Sequence, residues 1–442
     1  MYQAIITPLT NVRPHWNAEK LQLATVANSQ VVVGLDNYEG QRGAFFPCDG
    51  RLSHEMLVAN KLYRKHPETN EEMGGFFDVN GRVRALKLRQ EISDGYWTPL
   101  ESLQWTGVNI DKLKDNTQFT ILNKKEVCSK YISPATMKAL FDKTNNKTRE
   151  SAKRKLKLKE QFSSFKEHFN TNHLAQNMHK AMTPNTIIYI TEKVHGTSGR
   201  TGYIKSKNNL TWFQRLWNRV FKPFQEYSYR FVSGTRRTII DPELESFGSL
   251  KHKEEYNKSY RNVIHQSFTK LPLRKGETFY YEIAGFRETG AAIMSSHNVV
   301  DKKLIKKYGK KMPYKYGCEP NTWKVFIYRI TIQTEDGYII ELPWTQVLRR
   351  CKELQLEPVI TLATLFFETT LNNNLLQTCN DLKEGESSHD SDHIREGVCV
   401  RCENEDGTHV YKHKSFHFLE MEGNQKDSDT YVDTEELEDL QT

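Results

Sequence analysis

From Asn185 onward, short β-prone runs recur between turns: Thr186–Thr191, Thr278–Ala284, Lys324–Thr331, Gly337–Leu342, Gly397–Cys402 and His409–His413. Strands this short are not stable alone and must pair into sheets. The helical stretch Gln346–Leu356 lies among them, so the region predicts one α+β domain of antiparallel sheets and helices over 185–422. No internal repeat is present. A length of 442 residues leaves room for further domains. Gln30–Leu35 (QVVVGL) and Gly81–Arg89 (GRVRALKLR) predict a small β domain over 1–125. In the second run Val83, Ala85 and Leu88 alternate partly with Arg82, Arg84, Lys87 and Arg89. That pattern suits either a solvated strand face or a basic OB-like β-barrel touching a nucleic-acid backbone.

Charge divides the rest of the chain. Residues 126–184 read as a basic helical linker, because Lys143–Lys180 holds ten Lys or Arg and three Glu. Leu158, Phe162, Phe165 and Phe169 follow at i, i+4, i+7 and i+11, the spacing of an amphipathic helix. Residues 423–442 carry seven acids against Lys426, which predicts a disordered acidic tail. The net charge is +8, so removing this −6 tail leaves +14 on the body. A body this basic points to a polyanionic partner. An aromatic fraction of 11% supplies enough core to exclude a wholly disordered chain. No apolar run is long enough to span a bilayer, so no membrane partner is expected. Seven cysteines are too few for a disulfide framework in a chain this long, which predicts an intracellular setting.

The chemistry concentrates at Thr191–Arg200, TEKVHGTSGR. A β-prone run ends at Glu192-Lys193, followed by Val194-His195-Gly196. A lysine leaving a strand beside a glycine turn suits an amine whose pKa falls in a pocket and which becomes nucleophilic. The glycine would let the backbone approach a nucleotide. Taken alone, the same residues also describe a surface lysine before a turn. Further along, Lys412 and Lys414 stand at i, i+2 on one strand and face the same side. Two ammonium groups so placed make sense around a phosphate; an exposed edge strand is the alternative.

The order of these elements resembles the ATP-dependent RNA ligases of the covalent nucleotidyltransferase superfamily. Lys193-Val-His195-Gly196-Thr197 resembles the nucleophile motif in its histidine form, that of the nick-sealing branch. Ser233–Thr238 (SGTRRT) resembles the ribose-contacting arginine motif, with Arg237 taken over Arg236 because it directly precedes Thr238. Phe279–Gly285 (FYYEIAG) resembles the third motif, and Val325–Ile330 (VFIYRI) the adenine-stacking strand, with Tyr328 preferred to Phe326. Glu396–Arg401 and Val410–Lys414 resemble the fourth and fifth motifs. The resemblance covers about residues 185–420 and six collinear motifs.

It implies an ATP-grasp-like nucleotidyltransferase domain preceded by an OB-like domain. Lys193 would be the nucleophile. Glu192, His195, Gly196, Arg237, Glu282, Tyr328, Glu396, Lys412 and Lys414 would bind ATP or AMP, Glu396 also holding magnesium or manganese through water. The implied enzyme is a monomer that seals RNA, or an RNA/DNA duplex with a nick, through lysine–AMP. A capping-type guanylyltransferase and a non-catalytic nucleic-acid-binding protein are the alternatives.

Three segments stand apart. The aromatic and basic stretch within 203–232 suits either a nucleic-acid clamp or an amphipathic helix packed on the domain. Glu384–Asp392 suggests a flexible insertion. Cys399, Cys402, His409 and His413 superficially resemble a zinc set, but i and i+3 on a strand face opposite sides. No motif falls in 423–442, so its removal is expected to spare adenylylation.

Overall fold

The computed structural model describes residues 2–145, 149–208, 210–240, 250–367, 374–428, 431–433, 436–437 and 440. Strands β1 (Ala4–Pro8), β2 (Leu21–Val26), β3 (Ser29–Gly34), β4 (Arg42–Pro47) and β5 (Gly95–Pro99) build the N-terminal region. β2 and β3 form a hairpin over Ala27-Asn28, both at positive φ, the geometry a two-residue turn requires. Thr10–Pro14 joins its edge, while β1, β4 and β5 form a second sheet with Gln118–Phe119. Ile5, Val26, Val31, Phe45 and Trp97 fill the space between these strands.

The run Gly81–Arg89 does not form one strand. Only Leu86–Leu88 pairs as a strand. Before it, Arg82 turns inward, its guanidinium 4.5 Å from the Tyr131 ring centroid and hydrogen-bonded to Asp427. A buried guanidinium needs such partners, and they override the alternation.

Helices α1 (Pro134–Asn145) and α2 (Arg149–Gln161) carry the basic segment. The expected long amphipathic helix stops at Gln161. Leu158, Phe162 and Phe165 pack against Ile204, Val232 and Ile239, whereas Phe169 leaves this cluster. Ser164, donating to the Lys205 carbonyl, takes part in the irregular turn between them.

The remaining chain supplies β6 (Thr186–Glu192), β7 (Thr197–Lys207), α3 (Trp212–Asn218), β8 (Tyr227–Gly234), α4 (Tyr260–Thr269), β9 (Glu277–Gly285), β10 (Trp323–Gln333), α5 (Trp344–Leu354), β11 (Thr361–Phe367), β12 (Gly397–Asn404), β13 (Gly407–Lys414) and α6 (Phe416–Lys426). One sheet has the order Asn172–His173, β13, β12, β6, β11, and the other runs Ile239–Ile240, β8, β7, β9, β10, Ile339–Glu341. The fold is thus mixed α+β with several antiparallel sheets. Helix α4 lays Tyr260, Ile264 and Phe268 on the second sheet. Helix α5 buries Trp344, Val347, Cys351 and Leu354, a helical stripe.

The boundary expected at residue 422 falls inside a helix. α6 continues to Lys426, which is buried and paired with Asp49, while Asp427 pairs with Arg82 and Arg84. Leu437 is buried, and Glu436 accepts an ion pair from Lys130. The acidic residues thus neutralise basic groups of the N-terminal half, which their local composition could not reveal. Asp429, Glu435, Glu438 and Asp439 of the predicted tail lie outside the described residues.

Candidate active site

A cavity opens between the two large sheets. Strand β6 ends at Glu192, so Lys193 leaves it into this cavity, its backbone N–H donating to the Gly397 carbonyl. Thr191, Lys193, Ser198, Glu282, Tyr328 and Cys399 all line the wall. Cys399 lies opposite both Thr191 and Lys412 in the first sheet. Directly opposed residues share a face, so Lys412 belongs to the cavity side. Cys402, three positions on, is buried in a core cluster on the other side.

Lys193 Nζ donates to Glu396 Oε2 at 2.8 Å, and Lys414 Nζ lies 3.3 Å from Glu396 Oε1. Burial opposes the charge on Lys193, but the Glu396 carboxylate outweighs burial and the repulsion of Lys414, holding the amine above its ordinary pKa. The expected depression is therefore reversed while that ion pair stands. Burial also works against the Glu396 carboxylate, yet Lys193 and Lys414 hold it well below its usual range. Lys412 behaves differently. It has no ion-pair partner among the described residues, and burial followed by repulsion from Lys414 pushes its pKa down to about 8.

Lys414 also pairs with Glu422 of α6 at 2.9 Å. Glu422 in turn lies 3.7 Å from Lys426, which is 3.5 Å from Asp49 of the N-terminal region. A ladder of alternating charges thus runs from Lys193 to the other half of the molecule. Glu422 had no sequence signal, because only the turn at Ser415 brings α6 back over β13.

Several of the expected site residues are engaged by other parts of the chain. Glu192 lines the cavity, but its carboxylate accepts from Ser387 Oγ and the Ser388 N–H. Glu384 accepts from Ser415 and Phe416, and Asp390 accepts from the Gly317 N–H, so 384–392 is a packed connection rather than a flexible insertion. The His195 ring is not in the cavity wall. It sits among Tyr314, Phe418 and His297, with Nδ1 3.5 Å from Glu396, and backs that carboxylate. Gly196 packs closely on β9: a Cβ there would lie 2.5 Å from the Ile283 carbonyl and 2.8 Å from Glu282 Cγ.

Arg236, not Arg237, lines the cavity. Arg237 instead holds the segment before it, donating to Glu167, the His168 carbonyl and Asn170. That segment supplies two wall residues missed in the sequence, His168 and Phe169. Arg329 lies 4.6 Å from the Phe169 ring centroid, and Tyr328 OH bonds to His168 Nδ1. Phe169 at the end of the aromatic stripe was the one available hint. Tyr328 sits at a register irregularity between β9 and β10, which re-aims a side chain. It faces the cavity while Phe326 is fully buried. Glu282 lies on the wall, with Ser198 Oγ 3.4 Å from its carboxylate.

The family model described as RNA ligase matches residues 186–414, more than half of the chain. Among similar solved structures is an apo mutant of Naegleria gruberi RNA ligase, 13% identical with a TM-score of 0.55, covering 95% of this chain and 98% of that one. The same ligase as a mutant with ATP and Mn is 12% identical, with a TM-score of 0.54 and coverage of 94% and 98%. A mutant with AMP and Mn is 13% identical, with a TM-score of 0.52 and the same coverage. At these identities the likeness concerns the fold. A search of curated proteins finds no match. The family match spans Lys193 and Glu282 of the cavity wall, Glu396 bonded to Lys193, and Lys412 on the same side of the first sheet, and the chain belongs to the RNA ligase family of polynucleotide ligases.

Proposed function

We propose that this protein is an ATP-dependent RNA ligase that joins a 3′-hydroxyl to a 5′-phosphate, acting at nicks in RNA-containing duplexes as a repair enzyme. The observation that carries this reading is the placement of a nucleophile candidate, Lys193, beside Lys412, a cation with no ion-pair partner among the described residues on the cavity side of the first sheet. Lys193 Nζ attacks the α-phosphorus of ATP; the N–P bond forms as the bond to pyrophosphate breaks. AMP then passes to the 5′-phosphate end. The 3′-hydroxyl attacks that phosphate, forms the phosphodiester bond and expels AMP.

Attack requires the neutral amine, so Lys193 must part from Glu396 before bonding. Lys414 then remains as a cationic neighbour, and its charge favours the neutral form of Lys193. Lys412 is the group suited to phosphate, Glu282 to the ribose hydroxyls, and Tyr328 with Phe169 to the base. Arg236 replaces Arg237 as the arginine suited to ribose or phosphate. His195, Gly196 and Arg237 act behind this wall, and Glu192 braces it from within the lining.

No group of three His, Cys, Asp or Glu side chains placed to hold a metal occurs among the described residues. Hydrated magnesium needs only one or two carboxylates beside phosphate oxygens, and manganese accepts similar oxygen ligands. Glu396, with Glu282 nearby, fits such an ion. When bound, it supplies charge neutralisation at the triphosphate.

The facing β-sheets around Phe45 and Trp97 support reading 1–125 as an OB-like domain. Residues 126–184 remain the basic linker, and the ligase domain is extended from 185 through α6. The test is labelling with α-phosphate-labelled ATP or GTP and magnesium, using the wild type and Lys193→Ala. Denaturation-stable label from ATP that is lost in the variant supports the proposal. Labelling by GTP alone identifies a guanylyltransferase, and no label with pyrophosphate-stripped protein removes the catalytic reading.

A further inference from the structure

The hairpin of β7 and β8 ends in a tip that turns its apolar side outward. Trp212, Phe213, Trp217, Val220 and Phe221 are 69%, 66%, 53%, 72% and 67% exposed. With Leu216 they fall at i, i+1, i+4, i+5, i+8 and i+9, one continuous stripe of a helical period. Among the described residues nothing covers this stripe, which favours an outward-facing surface over a helix packed on the domain. Isolated exposed apolar residues are ordinary, whereas a contiguous patch of this kind marks an interaction surface.

The tip is built rather than loose. Thr211 and Gln214 form a reciprocal capping box at the start of α3. Buried Asn218 accepts from the Phe224 N–H and donates to the Phe224 carbonyl, closing the turn. Asn208 donates to the Gln225 carbonyl and accepts from Ser228. Much of the local backbone polarity is thereby satisfied by the tip's own side chains, as entry into an apolar medium demands.

Charge identifies the medium. From Lys193 to Gln225 there is no acidic residue, while Lys205, Lys207, Arg215, Arg219 and Lys222 are basic. Trp, Phe and Leu on one face with Lys and Arg beside them are the composition of a helix that lies in a lipid headgroup layer. Base stacking accounts for the surface less well. Its stripe includes the aliphatic Leu216 and Val220, and Trp212 and Phe213 pack edge to face on each other, 4.9 Å apart. The patch is also carried on a projecting tip, not along a groove that tracks a strand.

We propose that this tip docks the protein reversibly on the surface of an anionic lipid bilayer, the rings entering the interface and the five cations facing the headgroups. No helix is long and apolar enough to cross a membrane, so the mode is surface attachment. The ten-residue run from Ser198 at the cavity to Lys207 spans about 30 Å, which separates docking from the nucleotide site.

The test is sedimentation of the full chain with vesicles of phosphatidylcholine containing about one-third phosphatidylserine, against phosphatidylcholine alone. The companion variants are Trp217→Ser with Phe221→Ser, and Arg215→Glu with Arg219→Glu. Wild type should bind the anionic vesicles with a blue shift of tryptophan emission, and each double variant should bind at least about tenfold more weakly. Lysine adenylylation should stay unchanged in both, which verifies the fold. Absence of wild-type binding, or equal binding by the variants, overturns the proposal. So does a result in which the variants lose nicked-RNA binding while wild type ignores vesicles, because the surface then belongs to nucleic acid. Lipid binding without any adenylylation would overturn the ligase reading and leave docking intact.

Discussion

At the residue scale, the two lysines of β13 divide their work by partner. Lys414 is saturated by Glu396 and Glu422, whereas Lys412 has a pKa near 8 and no ion-pair partner among the described residues. A bound phosphate would raise that value, so binding takes up a proton above about pH 8. ATP affinity should therefore fall as pH rises beyond 8, and Lys412→Arg should flatten this part of the profile. Lys412→Ala should weaken ATP binding by about ten- to a hundredfold, the scale of a charge-assisted hydrogen bond. Calorimetric titration over pH 7–10 measures both effects. Gly196→Ala tests a steric need: with the Ile283 carbonyl 2.5 Å from the added Cβ, we expect about 1–3 kcal/mol of destabilisation. Chemical denaturation measures it, and an unchanged midpoint would mean β9 yields freely. The motif residues were legible because their chemistry is unusual in sequence. The choice of Arg236 over Arg237 was not, since neighbours on a loop separate only when one is claimed by Glu167 and the His168 carbonyl.

At the element scale, α6 joins the two halves of the molecule. Its Glu422 carboxylate is opposed by burial, but Lys414 and Lys426 hold it far below the usual range. A depressed carboxylate contributes stability above its unfolded pKa and loses it as pH falls below about 4.3. Glu422→Gln should lower stability at neutral pH and make acid unfolding shallower; circular dichroism between pH 7 and 2 follows both. Glu422→Gln should also slow adenylylation more than it weakens ATP binding, because Lys414 then leans on Glu396 alone. Removing 423–442 is no longer expected to be silent, since it takes away Lys426 and Asp427 and their pairs with Asp49 and Arg82. The sequence showed acidic composition here, but a buried ion pair depends on a partner hundreds of positions away.

At the scale of the whole molecule, the +14 body predicts salt-dependent RNA binding. Lys153, Arg154, Lys155 and Lys157 lie on α2, as does Lys159, which pairs with Glu167 3.0 Å away. Neutralising the first four should reduce the slope of log affinity against log salt by up to about 3, if each meets a phosphate. Filter binding to nicked RNA duplex between low and moderate salt measures this, and an unchanged slope would place these charges in solvent. The basic linker and the acidic C-terminal residues thus have different fates: one helix presents charge outward, while the other element spends part of its charge on internal pairs.

Local chemistry alone determined the β-rich α+β class, the order of the motifs and the lysine that leaves β6. These follow from strand periodicity, turn residues and the rarity of a lysine set among apolar runs. Only the tertiary structure decided what each side chain faces. Burial assigned His195 to the back of Glu396, a register irregularity placed Tyr328 in the cavity, and the turn at Ser415 brought Glu422 to Lys414. The hairpin tip is the inverse case: its helical pattern was readable, but whether its apolar face met the domain or solvent depended on where two long strands carried it. Such outcomes depend on long-range pairing, whose partners no local window of sequence contains.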